Sequence, residues 1–78
     1  MAVVRMFAAA REAAGTGRDE IDGATVDAVL TAAVDRYGPA FADVLATCQV
    51  WRNGDPCERT DPVGPTDEVA VLPPVSGG

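Results

Sequence analysis

The chain contains no histidine and no lysine, and Ser76 is its single serine. Without an imidazole or a side-chain amine, the usual general bases and Schiff-base nucleophiles are missing. Neither a Ser-His-Asp nor a Cys-His arrangement can be assembled from these residues. That argues against a self-sufficient hydrolase or transferase. The two cysteines, Cys48 and Cys57, are too few for a structural zinc site with four Cys and His ligands, so no metal is expected. They read as small, reduced core residues of a cytoplasmic protein. No apolar run approaches the roughly 18 residues of a membrane span. Arg5, Arg11 and Glu12 interrupt the start of the chain, where a signal peptide needs a long apolar stretch. Basic side chains are scarce as well: six arginines face twelve acidic residues, for a net charge of -6. Phosphate binding needs basic clusters, so nucleic acid is set aside.

What is present fits one small domain. A chain of 78 residues buries only about 60% of the surface its unfolded form exposes. Of its 37 apolar residues, 25 are Ala or Val, which predicts a core of many small groups.

Val3 to Phe7 reads as a strand, with Val4 and Met6 on one face and Val3, Arg5 and Phe7 on the other. Ala8 to Ala14 reads as a short helical turn stopped by Gly15. Arg18 to Ile21 suits a short edge strand. Thr25 is the expected N-cap of the main helix, Val26 to Tyr37. Its apolar stripe runs through Val26, Val29, Leu30, Ala33, Val34 and Tyr37, and Gly38-Pro39 ends it. Pro39 to Ala46 holds a second short turn, with Phe41 and Leu45 at the end of the core. Cys48 to Arg52 is a strand leading into Asn53-Gly54, the strongest hairpin signal present, with Pro56 to Arg59 as a weak return strand. Asp61 to Asp67 is a loop, and Glu68 to Leu72 a last strand stopped by Pro73-Pro74. The expected class is α+β: a ubiquitin-like roll with one main helix across a mixed sheet of about four to five strands. Residues 1–72 form the domain and 73–78 an extended tail.

The tail carries the chemistry. Gly77-Gly78, lacking side chains, can thread a narrow channel and present a carboxylate to another protein. Pro73-Pro74 favours a stiff extended approach, and Pro73, Pro74, Val75, Ser76 and Gly77 form the threading segment. From Pro73 to Gly78 the reach is at most about 20 Å. A free α-carboxylate has a pKa of about 3.5 and is ionised and unreactive at neutral pH. An ATP-dependent partner would have to convert it to an acyl-adenylate before sulfur could attack and leave a thiocarboxylate.

Two segments carry a family resemblance. Residues 67–78, ending Pro73-Pro74-Val75-Ser76-Gly77-Gly78, and the motif Phe7-Ala8-Ala9-Ala10-Arg11-Glu12-Ala13-Ala14-Gly15 resemble the MoaD/ThiS family of ubiquitin-like sulfur carriers. They are most similar to its MoaD branch, the small subunit of molybdopterin synthase. The Gly-Gly end is common to the whole family; Pro-Pro-Val-Ser and the motif after the first strand are more particular to MoaD. The resemblance implies a β-grasp fold and a Gly78 that is adenylated by a MoeB-like E1 enzyme using ATP. A sulfur donor protein then supplies the sulfur of the thiocarboxylate. The tail would enter a MoaE-like large subunit carrying the catalytic side chains, in a heterotetramer of two small and two large subunits. Sulfur delivered there builds the dithiolene of the molybdenum cofactor, and the carrier binds no cofactor tightly.

In this fold the first and last strands are neighbours, which would join Phe7 and Leu72 into an apolar patch at the base of the tail. Such a patch is a docking surface by default. With Arg11, from the family motif, these are the expected partner-binding residues. Other readings remain at this point: a carrier for cysteine or thiamine synthesis, a ubiquitin-like modifier joined through Gly78 to lysines of other proteins, or a binding module with an inert tail.

Overall fold

A computed structural model describes residues 1–74 of the chain. Five strands and three helices follow in order: β1 (Ala2–Met6), α1 (Ala8–Ala14), β2 (Arg18–Ile21), α2 (Val26–Tyr37), α3 (Pro39–Leu45), β3 (Gln49–Arg52), β4 (Asp55–Pro56) and β5 (Glu68–Leu72). The sheet order is β2-β1-β5-β3-β4. β1 and β5 run parallel at its centre, with Met6 opposite Val71, and the remaining pairs are antiparallel. This is the expected β-grasp arrangement.

The core follows from strand alternation and the helix stripe. Val4, Met6, Val69 and Val71 bury one face of the central strands against Val26, Val29, Leu30 and Ala33 of α2. Phe41 of α3 closes one end, with its ring edge-on to Tyr37 at 5.1 Å. Val34 and Tyr37, expected within the buried stripe, are only partly buried, because they lie at the margin of the α2–α3 contact.

Each boundary has a local cause. Thr25 caps α2 by accepting from the Ala28 N–H at 3.1 Å. The next two orphan donors, Val26 and Asp27, bond to the carbonyls of Asp61 and Arg59. The loop before β5 is thereby tied to the start of α2, and Val63 is buried there, a core residue that periodicity does not reveal. Gly15 adopts φ +78° at the end of α1. Asn53 and Gly54, at φ +51° and +86°, form the expected tight turn, since both central positions of a type I′ hairpin need positive φ.

Three strand limits differ from expectation. β1 ends at Met6, because Phe7 is already the N-cap of α1 and Ala8 turns sharply at φ +49°. β3 starts at Gln49, since the Cys48 N–H still bonds back to Leu45 at the end of α3. β4 is cut to Asp55–Pro56: the Cys57 N–H still bonds the Val50 carbonyl, and the chain then turns back on itself, with the Asp61 N–H bonded to the Glu58 carbonyl. Cys48 and Cys57 are free, partly buried and packed against the core. Burial pushes both thiols above their usual pKa.

Candidate functional site

The parallel register brings the ends of β1 and β5 together, and the Phe7 N–H donates to the Val71 carbonyl at 3.3 Å. Phe7 and Leu72 therefore meet where the tail leaves the sheet. Met6 and Val71 point inward and are buried, so alternation sends their successors to the opposite face. Phe7 is 40% exposed and Leu72 is half-buried. The parallel β1–β5 pairing on which the expected patch depends is present. The Arg5 guanidinium lies 5.9 Å from the centroid of the Phe7 ring, and it also reaches Glu68 at 3.8 Å.

The same face extends further than Phe7 and Leu72. Ala70 stands between Arg5 and Trp51 in register, and Leu72 lies opposite Gln49. Trp51 is half-buried, with its indole N–H donating to Gln49 Oε1 at 3.3 Å. Phe7, Leu72, Ala70 and Trp51 form one apolar stripe across the outer face of the sheet. Trp51 escaped the sequence reading because its place depends on the β3–β5 register; its only sequence signal was an aromatic residue alternating outward just before the Asn-Gly turn.

Pro73 and Pro74 continue from β5 outside any strand, Pro73 half-buried and Pro74 exposed. Two hollows flank them. One, of about 240 Å³, is lined by Gln49, Trp51 and Leu72 on the sheet side. The other, of about 400 Å³, is lined by Ala9, Val44 and Thr47 on the helix side. Val75, Ser76 and Gly77, expected in the threading segment, and Gly78, expected to carry the reacting carboxylate, lie outside the described residues.

Arg11 is exposed on α1, around the corner from Phe7, and lines a third hollow with Arg5, Phe7 and Arg18. Among the described residues no group of three or more His, Cys, Asp or Glu side chains is placed to hold a metal ion. Among the same residues no helix is long and apolar enough to cross a membrane.

Comparison with known proteins agrees with this geometry. The ThiS family matches residues 4–78. No curated protein matches the chain in sequence. Small archaeal modifier protein 1 from Haloferax volcanii has a similar structure, with 34% identity, a TM-score of 0.80 and 97% of each chain covered. The protein of that name from Methanosarcina acetivorans is 30% identical, with a TM-score of 0.89, covering 99% of this chain and 95% of its own. A chain of the BexX/CysO complex of Amycolatopsis orientalis shares the fold, at 21% identity, a TM-score of 0.85 and full coverage of both chains. The chain belongs to the ThiS family of ubiquitin-like proteins.

Proposed function

We propose that this chain is the sulfur carrier small subunit of molybdopterin synthase, delivering sulfur as a thiocarboxylate on Gly78. The observation that carries the reading is the convergence of an exposed apolar stripe, Phe7–Leu72–Trp51, on the root of a Pro-Pro-Val-Ser-Gly-Gly tail. A body that docks by such a face holds its tail within a partner's active site, and a chain without His or Lys leaves acid–base work to that partner. An E1-like enzyme of the MoeB type activates Gly78 with ATP. In outline, the carboxylate attacks the α-phosphorus, pyrophosphate leaves, and a persulfide sulfur from a donor protein then displaces AMP. Reductive cleavage of the acyl disulfide by a thiol frees the thiocarboxylate. A MoaE-like large subunit accepts the tail and supplies the side chains for dithiolene formation.

A second reading is supported by the two structures named as modifiers, at 34% and 30% identity. In it, the activated Gly78 is joined to lysine amines of target proteins.

One experiment separates them. The chain is incubated with the E1-like enzyme of its own genome, ATP and a sulfur donor, and its intact mass is read. It is then offered to the large subunit with the pyranopterin precursor. A mass raised by sulfur for oxygen at Gly78, lost again as dithiolene product forms, supports the carrier. Covalent ladders on lysine-bearing proteins, without product, support the modifier. An unchanged mass throughout defeats both.

A further inference from the structure

Four of the six arginines are already engaged. Arg36 pairs with Asp19 at 2.7 Å, Arg59 with Asp27 at 3.1 Å and Arg5 with Glu68 at 3.8 Å, while Arg52 donates to the Pro62 carbonyl at 2.6 Å. Arg11 and Arg18 make no ion pair and no side-chain hydrogen bond among the described residues. That is unexpected in a chain with twice as many carboxylates as guanidiniums. Both line one hollow of about 380 Å³, with Phe7 and Gly17 in its wall.

The fold positions the bases of these two side chains. A Cβ on Gly17 would come within 3.3 Å of Arg11 Cδ, so the bare glycine lets the Arg11 stem lie along the loop. The Gly17 carbonyl accepts from the Met6 N–H at 3.0 Å, which anchors that loop to β1. Thr16 Oγ1 accepts from the Arg18 N–H at 3.4 Å and donates to the Arg18 carbonyl at 3.0 Å, fixing the root of Arg18. The N–H groups of Met6, Phe7 and Arg18 are thus committed. An anion entering the hollow meets the guanidinium forks of Arg11 and Arg18, with Arg5 also in its wall. Planar forks match carboxylates in bidentate fashion.

We propose that Arg11 and Arg18 form a pincer for carboxylates of the activating enzyme, which seats an apolar side chain on Phe7 beside them. Arg and aromatic side chains together are the usual composition of an interface hot spot. The rest of the chain, with four arginines against twelve acidic residues and so a net charge of -8, repels an acidic partner, so the pincer sets the orientation in which it can approach. The proposal rests on the carrier reading, because the partner used to test it is the activating enzyme.

The test measures adenylation of the full chain by the E1-like enzyme of its own genome, as pyrophosphate release, for the wild type, Arg18→Glu, Arg18→Lys and Arg59→Ala. Arg18 is exposed and unpartnered, and unchanged melting of Arg18→Glu checks that the fold is intact. For Arg18→Glu the expected result is a KM for the carrier about tenfold higher at low salt, with kcat within about twofold. The gap closes as salt rises, because the lost contact is electrostatic. Arg18→Lys, which keeps the charge but not the fork, falls between, and Arg59→Ala matches the wild type. A KM for Arg18→Glu equal to that of the wild type, or raised by an amount that salt does not change, overturns the pincer while leaving the carrier reading intact. A wild-type chain that is never adenylated overturns both.

Discussion

The Tyr37 hydroxyl donates to Asp19 Oδ2 at 2.5 Å and fastens the last turn of α2 to edge strand β2. Arg36 reaches the same oxygen at 2.7 Å. Burial, followed by the bond to an anionic acceptor, pushes Tyr37 up to about 12. The bond from Tyr37, followed by that from Arg36, holds Asp19 below the usual carboxylate range. Tyr37 is the only tyrosine, so tyrosinate absorbance follows it alone. Its folded pKa lies above the unfolded value of about 10, so its contribution is complete below that pH and is lost as pH rises toward about 12. Asp19 is depressed, so its contribution is complete above about pH 4 and is lost as pH falls through the folded value. Denaturant unfolding across the pH range is expected to show both limbs. Tyr37→Phe should cost about 1 kcal/mol at neutral pH and remove the tyrosine share of the alkaline limb.

Gly23 leaves no room for a side chain. An added Cβ would lie 2.6 Å from Val29 Cγ2 and 2.7 Å from the Val29 nitrogen. Val29 is fully buried in α2, so the helix start would have to shift. Gly23→Ala is expected to cost about 1–3 kcal/mol. Thermal unfolding checks this, at roughly 4–8 °C of Tm per kcal/mol for a domain this small.

Met6 and Phe7 are adjacent in sequence, yet their losses should separate stability from docking. Met6 is 1% exposed, and Met6→Ala is expected to cost about 2–5 kcal/mol. Phe7→Ala removes a side chain that is 40% exposed and outside the core, and should cost under about 1.5 kcal/mol. Its effect falls on the partner complex, weakened by about tenfold or more. Trp51→Ala should behave like Phe7→Ala. Calorimetric titration against the activating enzyme or the large subunit, beside a melting curve, tests all three.

An alanine added after Gly78 should abolish thiocarboxylate formation while leaving the melting curve and partner affinity unchanged. The reacting group is then no longer a glycine carboxylate, but nothing in the folded body has altered. Intact mass after incubation with activating enzyme, ATP and sulfur donor reads the outcome.

The helices were legible almost to the residue because their ends are written in explicit chemistry: Thr25 at one cap, Gly15 and Gly38-Pro39 at the stops. The strands were legible in existence and facing but less so in length. Phe7 has a strand-like backbone, φ -124° and ψ 151°, yet serves as a helix cap. Long-range register hid the rest. Trp51 joins the docking stripe only through Ala70, and Arg18 meets Arg11 only because β2 folds back beside β1. Val63 sits between Pro62 and Gly64, a context that reads as loop; a bridge between Thr25 and Pro62 draws it inward. The adjacency of the first and last strands, on which the expected pair Phe7 and Leu72 depends, follows from the fold class itself.

That central pairing also bears on how the molecule is made. β5 lies between β1 and β3 and supplies Val69 and Val71, both fully buried. A nascent chain emerges from its N-terminal end first, so β1, α2 and β3 are exposed to solvent before the strand that joins them exists. Cooperative closure must wait for Leu72, whose next neighbours are Pro73 and Pro74. A chain that stops before β5 lacks the middle of its sheet and leaves Val4 and Met6 without the strand that pairs beside them.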